Sequence, residues 1–324
     1  MKKILVTGGS GFLGHGLVAR LANQGNKVVV YDNNFRGSFS KFDKKLKNKI
    51  TFIKGDIRNI KNIKRAAKGC SIIYHLAFIN GTSNFYEKPK LVLDVGIIGT
   101  LNILKTCLNV KNIKEFYYAS SSEVYHKPKK FPASEKEYLT VPNPQNPRFS
   151  YSGAKIIGEI ITLNYLKDIK IKHSIFRPHN VFGANMGFEH VIPEIIKKIF
   201  LASNKFKKNI CKIRIQGNGS ETRSFCYVDD AVEQILAIRN KGKNKEIYNI
   251  GQSKEIKVES IINDIGKILG IKVKILKSKV LPGSVKRRCP NIKKIKKIYK
   301  LKNNYTLGLK KTVKWYKEYF VNEK

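Results

Sequence analysis

Apolar and polar residues recur along this chain with two different periods. Short runs rich in valine and isoleucine, such as residues 3–7 and 28–31, are each followed by a segment whose apolar residues recur every three or four positions. The first pattern predicts β-strands and the second predicts helices. Predicted strands cover residues 3–7, 28–31, 50–54, 71–75, 113–119, 171–176, 212–215 and 246–250. Predicted helices follow residue 14 and begin again at Tyr151, and others cover residues 61–68, 88–110, 191–201, 228–239, 258–269 and 309–320.

This repeated alternation of strand and helix predicts a parallel sheet with right-handed crossovers. The fold class is therefore α/β, with a doubly wound sheet of the Rossmann type. Ligands of such sheets bind beyond the carboxyl ends of the strands. Residues that follow the predicted strands are thus the first candidates for chemistry.

A glycine-rich turn joins the first predicted strand to the first helix. Gly8, Gly11 and Gly14 stand three residues apart, and Asp32 ends the second strand. Glycines allow the sharp turn and a close approach to a pyrophosphate, and the helix N-terminus supplies free N–H groups. A carboxylate at Asp32 can accept from the adenosine ribose and repels a 2′-phosphate, so NAD is the predicted cofactor. The alternative is a plain glycine turn followed by an unrelated loop aspartate.

Two further residues follow predicted strands on the cofactor side. Asp56 could accept from the adenine amino group, or it could cap the helix that starts near Asn59. His75 has no partner at metal-ligand spacing, so we predict a structural residue beside the cofactor and no metal site.

The fifth strand leads into a serine cluster, and a helix with a Tyr-Lys pair follows. Tyr151 and Lys155 are four apart and share one helix face. A cation near a phenol favours the phenolate, so Lys155 is predicted to lower the pKa of Tyr151. Such a tyrosine can take a proton from a sugar hydroxyl while hydride leaves the same carbon. The alternatives are a solvated Tyr-Lys pair and, for residues 120–125, a serine-rich turn.

Composition restricts the choice of partners. The net charge of +41 arises from 64 Lys and Arg against 23 Asp and Glu, with lysines spread over the whole length. Lysines are dense in residues 41–49, 205–212 and 286–300, and no nucleic-acid motif accompanies them. We therefore predict no nucleic-acid partner and an anionic small-molecule substrate instead. No apolar run reaches the ~18 residues of a membrane span, and no signal peptide is evident. Five scattered cysteines predict reduced thiols and, with these features, a cytoplasmic protein without a membrane partner.

Together these motifs resemble the extended short-chain dehydrogenase/reductases, the NAD-dependent nucleotide-sugar epimerases and dehydratases. The resemblance runs through residues 7–14, Asp32, residues 55–56, residues 75–77, residues 120–125, the pair Tyr151 and Lys155, and residues 177–183. It implies that Phe12, Leu13, Asn33, Ile57, Leu76 and Ala77 also contact the cofactor. It further implies an NAD-binding domain of residues 1–176 plus 216–250. A smaller mixed α/β substrate domain of residues 177–215 plus 251–324 completes the chain.

The resemblance also implies roles around the substrate. Ser121 stands where the family places its catalytic Ser or Thr. Asn180 and Arg223 match residues that hold the sugar-nucleotide diphosphate, Arg288 resembles a second arginine of that kind, and His190 falls where some 4-epimerases have an asparagine. The alternative for the two arginines is surface charge in a basic protein. Relatives are commonly homodimers, which here would involve residues 88–110 and 156–167.

Three positions depart from the family pattern. His126 stands where the family usually has glycine, and Gly96 where many members have asparagine. Small residues fill the interval between Tyr151 and Lys155, which the family tolerates. The first two departures are expected to reshape the wall of the pocket without removing a catalytic group.

These features predict an enzyme that oxidises C4 of a nucleotide-diphosphate sugar, most simply a 4-epimerase. Glu123 opens an alternative, because a carboxylate there can remove the C5 proton in a 4,6-dehydratase, or serve a UDP-glucuronate decarboxylase. Ser122 stands where many dehydratases have an aspartic acid. The structural alternatives for Glu123 are a solvated carboxylate and a carboxylate that contacts only other protein groups around the site. Rivals from other classes are a non-catalytic dinucleotide sensor and a basic nucleic-acid-binding relative without turnover.

Overall fold

A computed structural model describes residues 1–279 and 285–322. Its strands are β1 (Lys3–Thr7), β2 (Lys27–Asp32), β3 (Ile50–Lys54), β4 (Ile72–His75), β5 (Glu115–Ala119), β6 (Lys172–Pro178), β7 (Val181–Phe182), β8 (Ile210–Arg214), β9 (Thr222–Ser224), β10 (Cys226–Tyr227), β11 (Glu246–Ile250), β12 (Glu255–Lys257), β13 (Lys272–Leu276) and β14 (Arg287–Arg288). Its helices are α1 (Phe12–Asn23), α2 (Lys44–Lys47), α3 (Ile60–Ala67), α4 (Thr82–Glu87), α5 (Pro89–Leu93), α6 (Thr100–Asn109), α7 (Ser150–Tyr165), α8 (Val191–Ala202), α9 (Val228–Lys241), α10 (Val258–Leu269), α11 (Lys293–Lys296) and α12 (Tyr305–Asn322).

Seven strands form the main sheet in the order β11-β6-β5-β4-β1-β2-β3. Every neighbouring pair is parallel, and β1 lies between β2 and β4. The chain first builds outward from β1 through β2 to β3, then returns to the other side of β1 with β4. This reversal opens a crevice at the carboxyl ends of β1 and β4. The predicted doubly wound sheet is confirmed.

Both faces of this sheet are covered, which explains its continuous apolar strands. Side chains alternate between faces along a strand. Ile4 and Val6 of β1 therefore enter one core cluster and Leu5 enters the other, all of them fully buried. Burying such a side chain contributes roughly 1.5–3 kcal/mol.

One long helix is interrupted where the sequence predicted a continuous one. A π turn at Asp94–Gly99 lies between α5 and α6, which otherwise form one helical run. Gly96 and Gly99 lie in this turn, so no side chain obstructs the neighbours there. By length and composition this run, Pro89–Asn109, could cross a membrane, and 56 % of its most apolar window is buried against the rest of the protein.

The remaining strands are short and lie outside the main sheet. β8 pairs with β13 in parallel, β9 lies between β12 and β14, and β7 pairs with β10. These seven strands have two to five residues each, which leaves little room for a periodic pattern, and the strand predicted at 212–215 begins two residues earlier. The division into two domains stays a prediction, and its segment 251–324 includes the stretches outside the described residues.

Candidate active site

The carboxyl ends of β1, β2, β4 and β5 open into one cleft. Nineteen of the predicted site residues line it: Gly8, Gly11, Phe12, Leu13, Gly14, Asp32, Asn33, Asp56, Ile57, Leu76, Ala77, Ser121, Ser122, Glu123, Tyr151, Lys155, Asn180, His190 and Arg288. All of the predicted site residues lie in the described part of the chain. Of these, Arg223 alone is not among the residues that line the cleft. The fold thus brings the glycine turn and the Tyr-Lys helix to a single site.

The glycine turn is packed too closely for side chains. Gly8 has φ +72°, and a β-carbon there would come within 2.5 Å of the Ala77 nitrogen. A β-carbon on Gly14 would come within 2.2 Å of the Gly8 carbonyl oxygen. Asp32 accepts hydrogen bonds from the backbone N–H groups of Ser10 (3.0 Å) and Asn34 (2.8 Å). This cradle fits a dinucleotide, because it combines open backbone N–H groups at a helix start with a carboxylate at the end of β2.

Asp56 and His75 each form hydrogen bonds with nearby side chains of the protein. Asp56 forms an ion pair with Arg58 at 2.7 Å, and this hydrogen-bonded guanidinium lowers the pKa of Asp56. The helix cap is Asn59, whose side chain accepts from the Asn62 N–H, so the capping alternative for Asp56 is wrong. His75 is buried between the hydroxyls of Thr7 and Thr100, as expected for a structural residue.

Tyr151 lies in an aromatic enclosure at the start of α7. Its ring stacks on Phe85 with centroids 4.9 Å apart and meets the edge of Phe78 at 5.0 Å. Burial raises the pKa of Tyr151 to about 12, while a hydrogen bond from Ser121 opposes the rise and Glu123 adds to it. The prediction that Lys155 lowers the pKa of Tyr151 is therefore wrong in the protein without bound cofactor, because desolvation of the phenol dominates.

Lys155 contacts the backbone of β5 and an aromatic ring. Its ammonium donates to the Ala119 carbonyl at 2.6 Å and lies 3.9 Å from the centre of the Phe78 ring. The same nitrogen is 5.9 Å from the centre of the Tyr151 ring. Burial lowers the pKa of Lys155 to about 7, although the Glu159 carboxylate opposes the fall.

The buried ammonium predicts a stability difference that depends on pH. Lys155→Met should raise the free energy of unfolding at pH 7 by about 1–3 kcal/mol, because the desolvated charge costs more than its contacts return. Between pH 7 and about 10 the unfolded chain binds more protons at this lysine than the folded one, so wild-type stability rises with pH. The advantage of the variant should therefore shrink over this range.

Urea denaturation at pH 7 and pH 9.5 measures this difference. Lys314→Met is the control, since that lysine is 79 % exposed and should show no such pH dependence. Destabilisation of Lys155→Met at pH 7, or a difference that is the same at both pH values, would contradict the prediction.

A buried ion pair supports the serine cluster from behind. Glu159 stands one helical turn after Lys155 and accepts two hydrogen bonds from Arg177, at 2.8 and 2.5 Å. Both side chains are at most 3 % exposed. The Ser120 hydroxyl also donates to Glu159. Ser120 lies between Ala119, whose carbonyl accepts from Lys155, and the candidate catalytic Ser121. The ion pair therefore fixes the position of Ser120.

The same arginine connects the cluster to more distant parts of the chain. Arg177 donates to the Tyr125 hydroxyl at 2.7 Å and to the Glu135 carbonyl at 3.2 Å. Tyr125 donates in turn to Asn249, which bonds the carbonyls of Ala133 and Asn291. The network therefore joins the serine cluster, β6, β11 and the segment that follows Arg288.

Glu123 is paired rather than solvated. Its carboxylate accepts from Arg288 at 2.5 Å, and a 3-10 turn at Ser122–Tyr125 presents it to the cleft. Burial works to raise the pKa of Glu123, but the charge and hydrogen bond of Arg288, together with the charges of Arg148 and His126, outweigh it and the pKa falls. The surface-charge alternative for Arg288 is therefore wrong, whereas the alternative of a Glu123 carboxylate that contacts only other protein groups stays open.

The other predicted substrate residues divide between cleft and scaffold. Asn180 lines the cleft and donates to the Ser224 carbonyl at 3.3 Å. His190 lines it at the start of α8, where burial lowers its pKa to about 4. Arg223 donates hydrogen bonds to the backbone carbonyls of Thr222, Lys286 and Val285, at 2.6 to 3.1 Å. In this arrangement Arg223 braces β14, which carries Arg288.

The first two departures from the family pattern, at His126 and Gly96, have different consequences. His126 adopts φ 45°, a conformation that favours glycine, and its ring meets the edge of Phe149 at 5.3 Å. Gly96 lies beneath Phe78, whose ring would meet a β-carbon there at 2.5 Å. Phe78 occupies the space above Gly96, and this same ring contacts both Tyr151 and Lys155. Gly96 thus leaves room for the Phe78 ring in the wall of the cleft, and the reshaping of that wall relative to the family stays a prediction.

Sequence reasoning missed several residues of the site. Phe78 and Phe85 enclose Tyr151, yet aromatic residues in a loop and a short helix carry no periodic signal. Glu159 could have been found, because it is a lone carboxylate on the same face of an apolar helix as Tyr151 and Lys155. Arg36, which lines the cleft from the loop after β2, gave no signal in the sequence.

Comparison with known sequences gives a consistent result. The model of the NAD dependent epimerase/dehydratase family matches residues 4–251. The UDP-N-acetyl-alpha-D-glucosaminuronate decarboxylase of Bacillus cytotoxicus is 31 % identical over 98 % of both chains. A putative UDP-glucose 4-epimerase of Methanocaldococcus jannaschii is also 31 % identical, over 97 % of this chain and 98 % of its own.

Solved structures agree with these sequence relationships. The UDP-N-acetylglucosamine 4-epimerase from Methanobrevibacter ruminantium, in complex with UDP-N-acetylmuramic acid, superimposes with a TM-score of 0.85 at 26 % identity, over 97 % of this chain and 98 % of its own. The family match covers the glycine turn, the serine cluster and the Tyr-Lys helix that converge on the cleft. The chain therefore belongs to the NAD-dependent epimerase/dehydratase family of nucleotide-sugar enzymes.

Proposed function

We propose that this protein is a 4-epimerase of nucleoside-diphosphate sugars. The observation that carries the proposal is the arrangement of the cleft: Tyr151 and Ser121 meet beside the glycine turn, while Glu123 is held by Arg288. Epimerisation at C4 needs one proton-transfer residue and a hydride acceptor, and the cleft offers both without a further acid or base.

The side chains divide the work as follows. In its phenolate form, which the positive charge of a bound nicotinamide ring would favour, Tyr151 takes the proton of the C4 hydroxyl and returns it after the sugar ring has turned over, with Ser121 hydrogen-bonded to the phenol oxygen. NAD, when bound, supplies the hydride acceptor and donor. Phe78 and Phe85 exclude water from the phenol. Lys155 lies one helical turn after Tyr151 and also lines the cleft. From this position its ammonium can reach the ribose side of the cofactor cradle.

The pairing of Glu123 argues against elimination of water. A base that removes the C5 proton works best with a pKa near the operating pH. The guanidinium of Arg288 instead lowers the pKa of Glu123 and occupies one of its oxygens. Ser122 supplies no carboxylic acid to protonate a leaving hydroxyl. Among the described residues, Tyr151 and Ser121 are therefore suited to C4 oxidation, whereas Glu123 and Ser122 are not suited to the acid and base steps of a 4,6-dehydratase.

The proposal is tested by product mass. The purified protein is incubated with NAD and a panel of UDP-, GDP-, dTDP- and CDP-sugars, and each product is analysed by mass spectrometry and chromatography. An isomer of unchanged mass supports the 4-epimerase. Loss of water or of carbon dioxide would replace it with a dehydratase or a decarboxylase, and no turnover of any nucleotide sugar would overturn it.

Glu123→Gln provides a second test within the same assay. A 4-epimerase should keep its turnover number within about tenfold, because the glutamine can still hydrogen-bond Arg288 and no proton passes through this position. A dehydratase that used this carboxylate as its base should lose about 10²- to 10⁴-fold. Glu259→Gln, at an exposed carboxylate outside the cleft, is the control for the loss of one negative charge.

Decarboxylation is the second candidate, and the relationship to the Bacillus cytotoxicus enzyme favours it. Oxidation at C4 turns a uronic acid into a β-keto acid. Its C5–C6 bond can then break, with the electron pair moving to the C4 carbonyl, carbon dioxide leaving and a proton adding at C5. No base is needed for this step, so the pairing of Glu123 does not oppose it. Product mass separates it from epimerisation.

We also propose a homodimer formed through the long interrupted helix and α7. Both carry large apolar residues that are at least 37 % exposed: Leu93, Ile98 and Leu108 on the first, and Ile157, Ile160 and Tyr165 on the second. Light scattering behind a sizing column should give twice the monomer mass. The cytoplasmic location and the absence of nucleic-acid and membrane partners stay predictions.

A further inference from the structure

Arg36 reaches across the cleft from the cofactor side to the substrate side. It belongs to the loop that follows β2 and Asp32. One of its guanidinium nitrogens lies so close to Gly187, in the loop before α8, that a β-carbon there would come within 2.3 Å of it. The side chain is exposed to the cleft and lines it together with Tyr151 and His190.

Among the described residues, Arg36 is an arginine of the cleft that forms no ion pair. Among the described residues, no carboxylate lies within 4.0 Å of Arg36 and no hydrogen bond to its side chain is found. Arg288 is paired with Glu123, and Arg177 is paired with Glu159. Arg223 donates to backbone carbonyls. A cation left unpaired inside a pocket is suited to an anionic ligand.

The surroundings of Arg36 connect it to the reacting carbon. The charge of Arg36 works to lower the pKa of His190, and it opposes the rise in the pKa of Tyr151 that burial causes. The carboxylate whose charge acts on Arg36 is that of Glu189, which already accepts a hydrogen bond from Ser83. Arg36 lines the same cleft as Tyr151 and contacts Gly187 in the loop before α8, so an anion that binds Arg36 would lie in the part of the cleft that holds Tyr151.

We propose that Arg36 binds the C6 carboxylate of a nucleoside-diphosphate uronic acid. The inference rests on the proposed function, because it assumes that C4 of the sugar lies at Tyr151. C6 is then separated from C4 by one ring carbon and lies in the same part of the cleft. The planar fork of an arginine binds a carboxylate through two parallel hydrogen bonds, which a neutral CH₂OH group cannot match.

This contact also bears on the fate of the 4-keto sugar. Decarboxylation turns the carboxylate into neutral carbon dioxide. A guanidinium paired with the carboxylate stabilises the charged ground state more than the transition state, and so it slows this loss. The carboxylate held by Arg36 is retained, and the uronic acid leaves the enzyme as its C4 epimer.

The experiment compares sugars that differ at C6 alone: UDP-glucuronate with UDP-glucose, and GDP-mannuronate with GDP-mannose. The wild type should prefer the uronate of at least one pair by about tenfold or more in kcat/KM. Arg36→Gln should lower kcat/KM for that uronate by about 10- to 100-fold, the loss of a charge-assisted pair, and change the neutral sugar by less than threefold. Arg36→Lys should fall between them.

Two controls separate the possible sources of the anion. Arg65→Gln removes an exposed arginine from α3 and should change neither sugar. NAD affinity, measured by fluorescence titration, should change by less than threefold in Arg36→Gln. A tenfold loss of NAD affinity with an unchanged preference between the sugars would identify the cofactor diphosphate as the anion and overturn the proposal.

Other outcomes are equally decisive. A wild type that favours the neutral sugar, or a variant that loses both sugars equally, would overturn the role of Arg36 while the 4-epimerase stands. Turnover of none of the four nucleotide sugars would instead count against the proposed function on which this role rests.

Discussion

Tyr151→Phe should lower kcat by about 10³-fold or more, the range expected when a general acid–base group is removed. The phenylalanine ring lacks the oxygen that exchanges a proton with the C4 hydroxyl. No other side chain described at this point of the cleft can replace it, because Lys155 is bonded to the Ala119 carbonyl. The hydroxyl of Ser121 is a poor base in its own right.

The fold and the cofactor cradle should survive this change. The contacts of the ring with Phe78 and Phe85 depend on its carbon atoms, which phenylalanine keeps. The variant loses one buried hydrogen bond to Ser121, worth about 1 kcal/mol. We therefore expect NAD affinity within threefold of the wild type and a free energy of unfolding within about 1 kcal/mol.

Single-turnover reduction of the cofactor, followed by absorbance at 340 nm, measures the chemical step directly. Tyr138→Phe is the matched control, because that tyrosine is 74 % exposed and its loss of a hydroxyl should leave the rate unchanged. If Tyr151→Phe reduced the cofactor at the wild-type rate, the phenol would have no part in proton transfer and the proposed function would fail.

The sequence was sufficient for the features that depend on neighbours along the chain. The glycine turn and the Tyr-Lys spacing each lie within one short segment, and Asp32 ends the very next strand, so their pattern specifies their geometry. The parallel arrangement of the strands followed from the alternation of strand and helix. The cleft at their carboxyl ends could therefore be predicted from the amino-acid sequence alone.

What depends on contacts between distant segments could not be predicted. The pKa of Tyr151 was predicted to fall, because the sequence shows the nearby lysine but not the aromatic enclosure. Phe78 and Phe85 come from another part of the chain and remove water from the phenol. Arg36 and Gly187 are likewise 151 positions apart in sequence, yet they are in contact across the cleft. The π turn within the long helix also depends on packing rather than on local preference.

The ion pair of Glu159 and Arg177 gives the second large effect. Glu159→Leu should lower the free energy of unfolding by about 3–5 kcal/mol, because it leaves a guanidinium buried without its counterion. Ser120 loses its acceptor in the same variant. Since Ser120 connects Ala119 to Ser121, we expect kcat to fall at least tenfold with a smaller change in KM.

The double variant Glu159→Leu/Arg177→Met separates charge from position. Replacing both partners with apolar side chains removes the unpaired charge, so stability should return to within about 2 kcal/mol of the wild type. Activity should stay low, because Tyr125 has then lost its hydrogen bond from Arg177 and Ser120 its bond to Glu159. A stable but slow enzyme is the expected signature of a positioning pair.

Urea denaturation and steady-state kinetics on the wild type and these variants complete the comparison. Glu194→Leu, which removes the exposed partner of Lys198, is the control and should cost at most about 0.5 kcal/mol. A cost below about 1 kcal/mol for Glu159→Leu would show that the buried pair carries little energy. Recovery of full activity in the double variant would show that the pair supports the fold but does not position the serine cluster.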